Sequence, residues 1–268
     1  MTAVTDRTAM SGEVRIAYDV RGSGAPLLLV HGLGYARWGW VPVVDGLGES
    51  FTVVSFDNRG VGASDAPAGP YTVRELAEDA VAVLDDAGLD RAHVVGTSLG
   101  GMVAQEVALE WPERVDRLVL ACTTPGVSGY TMPEQTVRLL LKVPTMPVEE
   151  RLKRLVENAL ADPADPALVE RIIAHRLASP QDPAAWQAQA AAGMSFDALG
   201  RLERIAAPTL VLQGTADVVV DPRNADVLAA RIPEAHLELF PGTGHLFFWE
   251  EPERFVQVVS DFLAGNGR

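Results

Sequence analysis

The chain has 268 residues, 48% of them hydrophobic and 22% charged, a globular balance that can fill one large core or a core with an inserted subdomain. Its 36 acidic side chains against 22 basic ones leave a formal net charge of −14, which repels nucleic-acid phosphates and anionic membrane surfaces alike. The single cysteine, Cys122, excludes an internal disulfide, and no apolar run approaches the ~20 residues of a membrane span. The polar opening "MTAVTDRTAM" lacks the apolar core of a secretory signal, so a cytoplasmic protein is expected.

In chain order, "EVRIAYDV" alternates like an antiparallel strand. "PLLLVHG" and "FTVVSFD" follow as short, nearly continuous apolar runs. "TVRELAEDAVAVLDDAG" then reads as a helix, with Thr72 as N-cap, Glu75 three residues on and Gly88 as its stop. "AHVVG" and "DRLVLAC" are two further runs, separated by the helical "GMVAQEVALEWP". Cys122 closes the second run and is expected to be buried. From about Pro125 to Arg204 no strand is predicted. "MPVEERLKRLVENAL", "DPALVERIIAHRLAS" and "DPAAWQAQAAAGM" read as short helices punctuated by proline. "PTLVLQG" and "AHLELF" then return to the strand pattern. Continuous apolar runs suit strands buried on both faces, and their alternation with helices predicts an α/β fold with a mostly parallel sheet covered on both sides. The expected organisation is a core of residues 1–125 and 205–268, with a helical insertion, 126–204, lying over it.

"VVGTSLGG" carries the chemistry. Gly96-Thr97-Ser98-Leu99-Gly100 matches G-x-S-x-G between a strand and a helix, the context of a nucleophile elbow. Small flanking residues let neighbouring backbone approach the turn, the serine projects outward, and the Leu99 N–H and the helix N-terminus point at the same spot. A serine hydroxyl needs a base. Of the five histidines, His175 falls in an insertion helix, and His93 and His236 open strands. His245, in the glycine-rich loop "FPGTGHLFFWEEPERF", is placed to reach Ser98. The base needs a carboxylate, and "PTLVLQGTADVVVDP" presents Asp217 near the strand end and Asp221 before Pro222. Asp217 is preferred as the acid, with Asp221 as a turn or helix-start residue. In "LLLVHGLGYARW" the Leu33 N–H is the candidate second oxyanion donor, and His31 is expected to order that loop. Tyr35, Trp38, Phe247 and Trp186 are candidates for lining an apolar acyl pocket. "GTSLGG" lacks the Lys-Ser/Thr ending of a P-loop, no His or Cys spacing suggests a metal site, and no cofactor is expected.

These stretches, together with "SFDNRGVGASD" and "VVGTSLGGMVAQEVALEWPERVDRLVLAC", resemble the α/β-hydrolase fold family over almost the full chain. By that resemblance Ser98 matches the nucleophile, Asp217 the acid, His245 the base, and Leu33 and Leu99 the oxyanion hole. Asp57, Arg59 and Asp65 match a bracing loop, and the insertion matches a helical cap. Haloalkane dehalogenases and epoxide hydrolases of this family carry aspartate at the elbow, so Ser98 favours acyl transfer to serine. The function expected is a serine esterase acting on small or medium acyl esters. A lactonase for acyl-homoserine lactones or enol-lactones shares the triad and is the alternative, and a ligand receptor with a slow hydrolase site is a third reading. Perhydrolysis and hydrolysis of a diketone carbon–carbon bond rank below these. The partner expected is a small ester or lactone, with neither nucleic acid nor membrane, and a homodimer stays open.

Overall fold

The computed structural model describes residues 5–266. Eight strands form one sheet in the order β1-β2-β4-β3-β5-β6-β7-β8. They are β1 (Thr5–Ser11), β2 (Val14–Gly22), β3 (Ala25–Val30), β4 (Phe51–Phe56), β5 (Ala92–Thr97), β6 (Val115–Ala121), β7 (Thr209–Gly214) and β8 (His236–Phe240). β1 pairs with β2 and β2 with β4 antiparallel; every other neighbouring pair is parallel. The expected mostly parallel sheet is therefore present.

Period-two alternation sends side chains to two apolar layers. Leu28, Val30, Val94, Leu118 and Val211 face α2 (Val73–Asp86), α3 (Leu99–Glu110) and α8 (Arg223–Arg231). Leu27, Leu29, Val95, Val119 and Leu212 face α1 (Val44–Gly48), α9 (Phe247–Glu250) and α10 (Pro252–Leu263). Every residue of β5 and β7 is buried, which is why these strands read as continuous apolar runs.

Two strands differ from expectation. β1 lies inside the opening read only as polar (residues 1–4 fall outside the described region). It is an edge strand paired to β2 alone, so only Ala9 of its interior needs to be apolar. β8 is the other edge, with Leu239 44% exposed, and is not buried on both faces.

Between β6 and β7 the chain leaves the sheet for α4 (Glu134–Lys142), α5 (Val148–Asn158), α6 (Pro166–Ala178) and α7 (Pro183–Ser195). The three proline-punctuated helices read from sequence are α5, α6 and α7; α4 is additional. α6 and α7 start at Asp165 and Asp182, whose carboxylates accept backbone N–H bonds and which precede Pro at the first helical position. An isolated antiparallel bridge between Gly126 and Asp197 draws the two ends of this excursion together. Among the described residues no helix is long and apolar enough to cross a membrane.

Candidate active site

Ser98 follows β5 and caps α3 with φ 54° and ψ −121°, a backbone state that costs a non-glycine residue about 1–3 kcal/mol. Its neighbours hold it there. The Ser98 N–H donates to the Ala121 carbonyl at 2.9 Å. Its own carbonyl accepts from the Gly101 N–H at 2.9 Å and from Thr123 Oγ1 at 2.7 Å. The flanking glycines are required sterically. A Cβ on Gly100 would stand 2.1 Å from the Val30 carbonyl oxygen, and one on Gly96 would stand 2.3 Å from that of Gly100.

The parallel strands end on the same side of the sheet, and the loops after them converge. After β6, the fully buried Cys122 thiol lies against the Ser98 backbone. Burial first, and then the negative charge of Asp217, push its pKa well up, so it stays a neutral thiol. After β7, Asp217 is buried and fully engaged. Its Oδ1 accepts the Val219 and Val220 N–H groups at 2.8 and 3.0 Å, and its Oδ2 accepts Gln213 Nε2 at 3.0 Å. After β8, His245 Nδ1 lies 2.8 Å from that same Oδ2. Asp221, by contrast, turns back onto Arg223, accepting its N–H at 3.0 Å, and takes no part in this cluster.

The loop after β3 faces the elbow. A Cβ on Gly32 would lie 2.9 Å from Ser98 Cβ. His31 is buried; its Nδ1 accepts the Gly32 N–H at 2.7 Å, and Tyr35 stacks on it at 4.6 Å. Burial, then the Arg176 guanidinium and His245, lower the His31 pKa to about 3, so it remains neutral. Among the described residues neither the Leu33 nor the Leu99 N–H donates to a protein acceptor. Asp57, Arg59 and Asp65 are structural ties, to the Arg37 and Ala63 N–H groups, to Asp79 and to Arg15.

The pocket candidates separate. Trp38 stacks flat on His175 of α6 at 5.3 Å, Tyr35 lies beneath Arg176 at 4.1 Å, and Trp186 lies against Gly34. Phe247 has no accessible surface, its ring enclosed by Phe240, Phe248 and Phe255. Glu250, like Thr123 and Gln213, contributes without being evident in the sequence. The half-buried Glu250 accepts the Gly244 N–H at 2.7 Å and the Ala161 N–H at 2.8 Å, and the Leu246 N–H donates to the Ala159 carbonyl at 2.8 Å. Burial pushes the Glu250 carboxyl up while these two N–H bonds pull it down. The His245 loop is thus tied to the connection between α5 and α6. In the sequence Glu250 is one charge among several in "WEEPERF", and nothing local marks it out.

A model of the alpha/beta hydrolase fold matches residues 25–252. The chain belongs to the α/β-hydrolase fold family. This α/β-hydrolase is 31% identical to the 2-hydroxy-6-oxo-6-phenylhexa-2,4-dienoate hydrolase of Burkholderia cepacia, over 94% of this chain and 92% of that protein. Its structure is similar to that of a hydrolase from Pseudomonas aeruginosa PA01, with a TM-score of 0.84 and 32% identity over 97% of this chain and 98% of that one. It is also similar to the enol-lactonase from Burkholderia xenovorans LB400, with a TM-score of 0.83 and 25% identity over 96% and 100% of the two chains. Among the described residues of this α/β-hydrolase, no group of three or more His, Cys, Asp or Glu is arranged to hold a metal ion.

Proposed function

We propose that this α/β-hydrolase is a serine carboxylic ester hydrolase with Ser98 as nucleophile, His245 as base and Asp217 as acid. The observation that carries the reading is the 2.8 Å contact of His245 Nδ1 with the buried Asp217, on the loops beside the strained Ser98 elbow. Ser98 Oγ attacks the acyl carbonyl and His245 Nε2 takes its proton. Asp217 holds the Nδ1–H tautomer and stabilises the imidazolium. The Leu33 and Leu99 N–H groups, free of protein acceptors among the described residues, receive the oxyanion. His245 then protonates the departing alcohol, and water, activated by the same imidazole, releases the acid. Tyr35, Trp38 and Trp186 serve as walls for a small or medium acyl group, whereas Phe247, enclosed by Phe240, Phe248 and Phe255, belongs to the core and does not line the pocket.

Ser98→Ala should lower p-nitrophenyl butyrate hydrolysis at least about 1,000-fold while the protein stays folded by circular dichroism. Turnover near that of the wild type would overturn the serine mechanism. Similarity to an enol-lactonase favours lactones as the second reading. p-Nitrophenyl esters of rising chain length, run beside γ-butyrolactone and an N-acyl homoserine lactone, separate the two by kcat/KM.

A further inference from the structure

Gly32 to Tyr35 form a turn closed by the Tyr35 N–H donating to the Gly32 carbonyl at 3.3 Å. Gly34, its third residue, has φ +74°, the value that a type II turn demands and that glycine supplies. Type I and type II turns differ by a flip of the central peptide, here the unit joining Leu33 to Gly34. The N–H of that unit does not point to solvent. It donates to Oε1 of Gln189, on α7, at 3.1 Å.

Gln189 is 1% exposed, on a helix face whose other buried residues are Ala185, Ala188 and Ala192. The small alanines bring α7 close to the loop, and among the buried residues of that face Gln189 carries the polar group that reaches it. A buried amide is tolerated where its hydrogen bonds are made, and here they are. Its Nε2 donates to the Arg59 carbonyl at 2.7 Å, and Oε1 also accepts from Gln181 Nε2 at 3.3 Å. Gln181 in turn donates to the Gly60 carbonyl at 3.0 Å. Arg59 is a fixed anchor, because its guanidinium is paired with the buried Asp79 through two bonds of 2.6 Å. The chain of contacts from Asp79 through Arg59 and Gln189 to Gly34 ends one residue from the Leu33 N–H.

We infer that Gln189 is a positioning residue: from the helical segment it locks the central peptide of the Gly32–Tyr35 turn and so holds the Leu33 N–H on the developing oxyanion. The inference rests on the serine-hydrolase reading. Oxyanion contacts strengthen in the transition state, so loosening this donor lowers kcat and leaves ground-state binding largely alone.

The test uses the full chain with Gln189→Met, which removes every polar contact at similar volume, and Gln189→Asn. The latter keeps a buried amide but is one methylene too short to span Gly34 and Arg59 together. With p-nitrophenyl butyrate, Gln189→Met should lose about 10- to 100-fold in kcat with KM within about twofold. The Ki of phenylboronic acid, whose serine adduct is tetrahedral, should rise by the same factor, and Gln189→Asn should fall between. A merely structural role would shift Tm and leave the kcat and boronate Ki of the folded enzyme unchanged. A folded variant with both values within about twofold of wild type, or with its loss confined to KM, overturns the inference. If Gln189→Met fails to fold, Gln189→Asn is judged by the same criterion. Ser98→Ala runs alongside. If it is inert while the Gln189 variants match wild type, only the positioning role fails; if it turns over like wild type, the serine-hydrolase reading fails.

Discussion

Asp217 and Asp221 sit in one loop and meet different fates, because what a carboxylate does depends on which donors surround it. Asp217 collects two backbone N–H groups, an amide and an imidazole, whereas Asp221 is spent on its own turn. Asp217→Asn should therefore reduce kcat about 10²- to 10⁴-fold in the p-nitrophenyl butyrate assay, and Asp221→Asn should change it less than about twofold. His31 makes a second prediction, in stability. Its pKa is lowered from 6.5 to about 3, so below pH 6.5 the unfolded chain takes up a proton that the folded chain refuses. Stability is then lost as pH falls through that window, by up to ~1.4 kcal/mol per pH unit. His93, also lowered by burial, acts in the same sense. Urea denaturation at pH 7 and pH 5 should show His31→Gln losing about 2 kcal/mol less than wild type over that interval; an equal loss in both would mean that His31 is not buried neutral. Ser98, Asp217 and His245 were legible as candidates because each stands in a short motif next to a strand. Thr123 and Glu250 were not, because their partners are distant or are backbone groups of ordinary segments, and Gln213 was not, because it stands inside a fully buried strand although its partner Asp217 is only four residues on.

At the scale of elements, legibility followed burial and local caps. The helix over 73–86 announced itself through Thr72 and Glu75, and both halves of the capping box are formed. Thr72→Ala should cost about 1 kcal/mol in urea denaturation, the usual cost of losing an N-cap side chain. β1 was unreadable for the opposite reason: an edge strand with one exposed face carries too little apolar pattern to stand out from a loop. α4 escaped prediction because Thr136 is its only buried residue, so the core imposes almost no pattern on it.

For the molecule as a whole, the helical segment is not a separate body. Val156, Leu160 and Ile172 belong to the same apolar layer as Trp40 and Phe248, and Ala188, Ala192 and Phe196 share the other layer with Leu99 and Tyr71. Calorimetry should accordingly show one cooperative transition with equal calorimetric and van't Hoff enthalpies, and a resolved second transition would contradict that shared packing. The sequence-level division into 1–125, 205–268 and 126–204 traces the path of the chain, and it could not reveal that the middle stretch lends residues to both layers.

The Glu250 tie has a consequence for anyone altering substrate range. The connection between α5 and α6 is fastened to the His245 loop through Ala159 and Ala161. Randomising that connection would shift His245, the proposed base, for all substrates at once, so gains in selectivity there would be entangled with general loss of rate. α4 is fastened likewise, its Thr136 hydroxyl donating to the Val218 carbonyl beside Asp217, so changes there would carry the same entanglement.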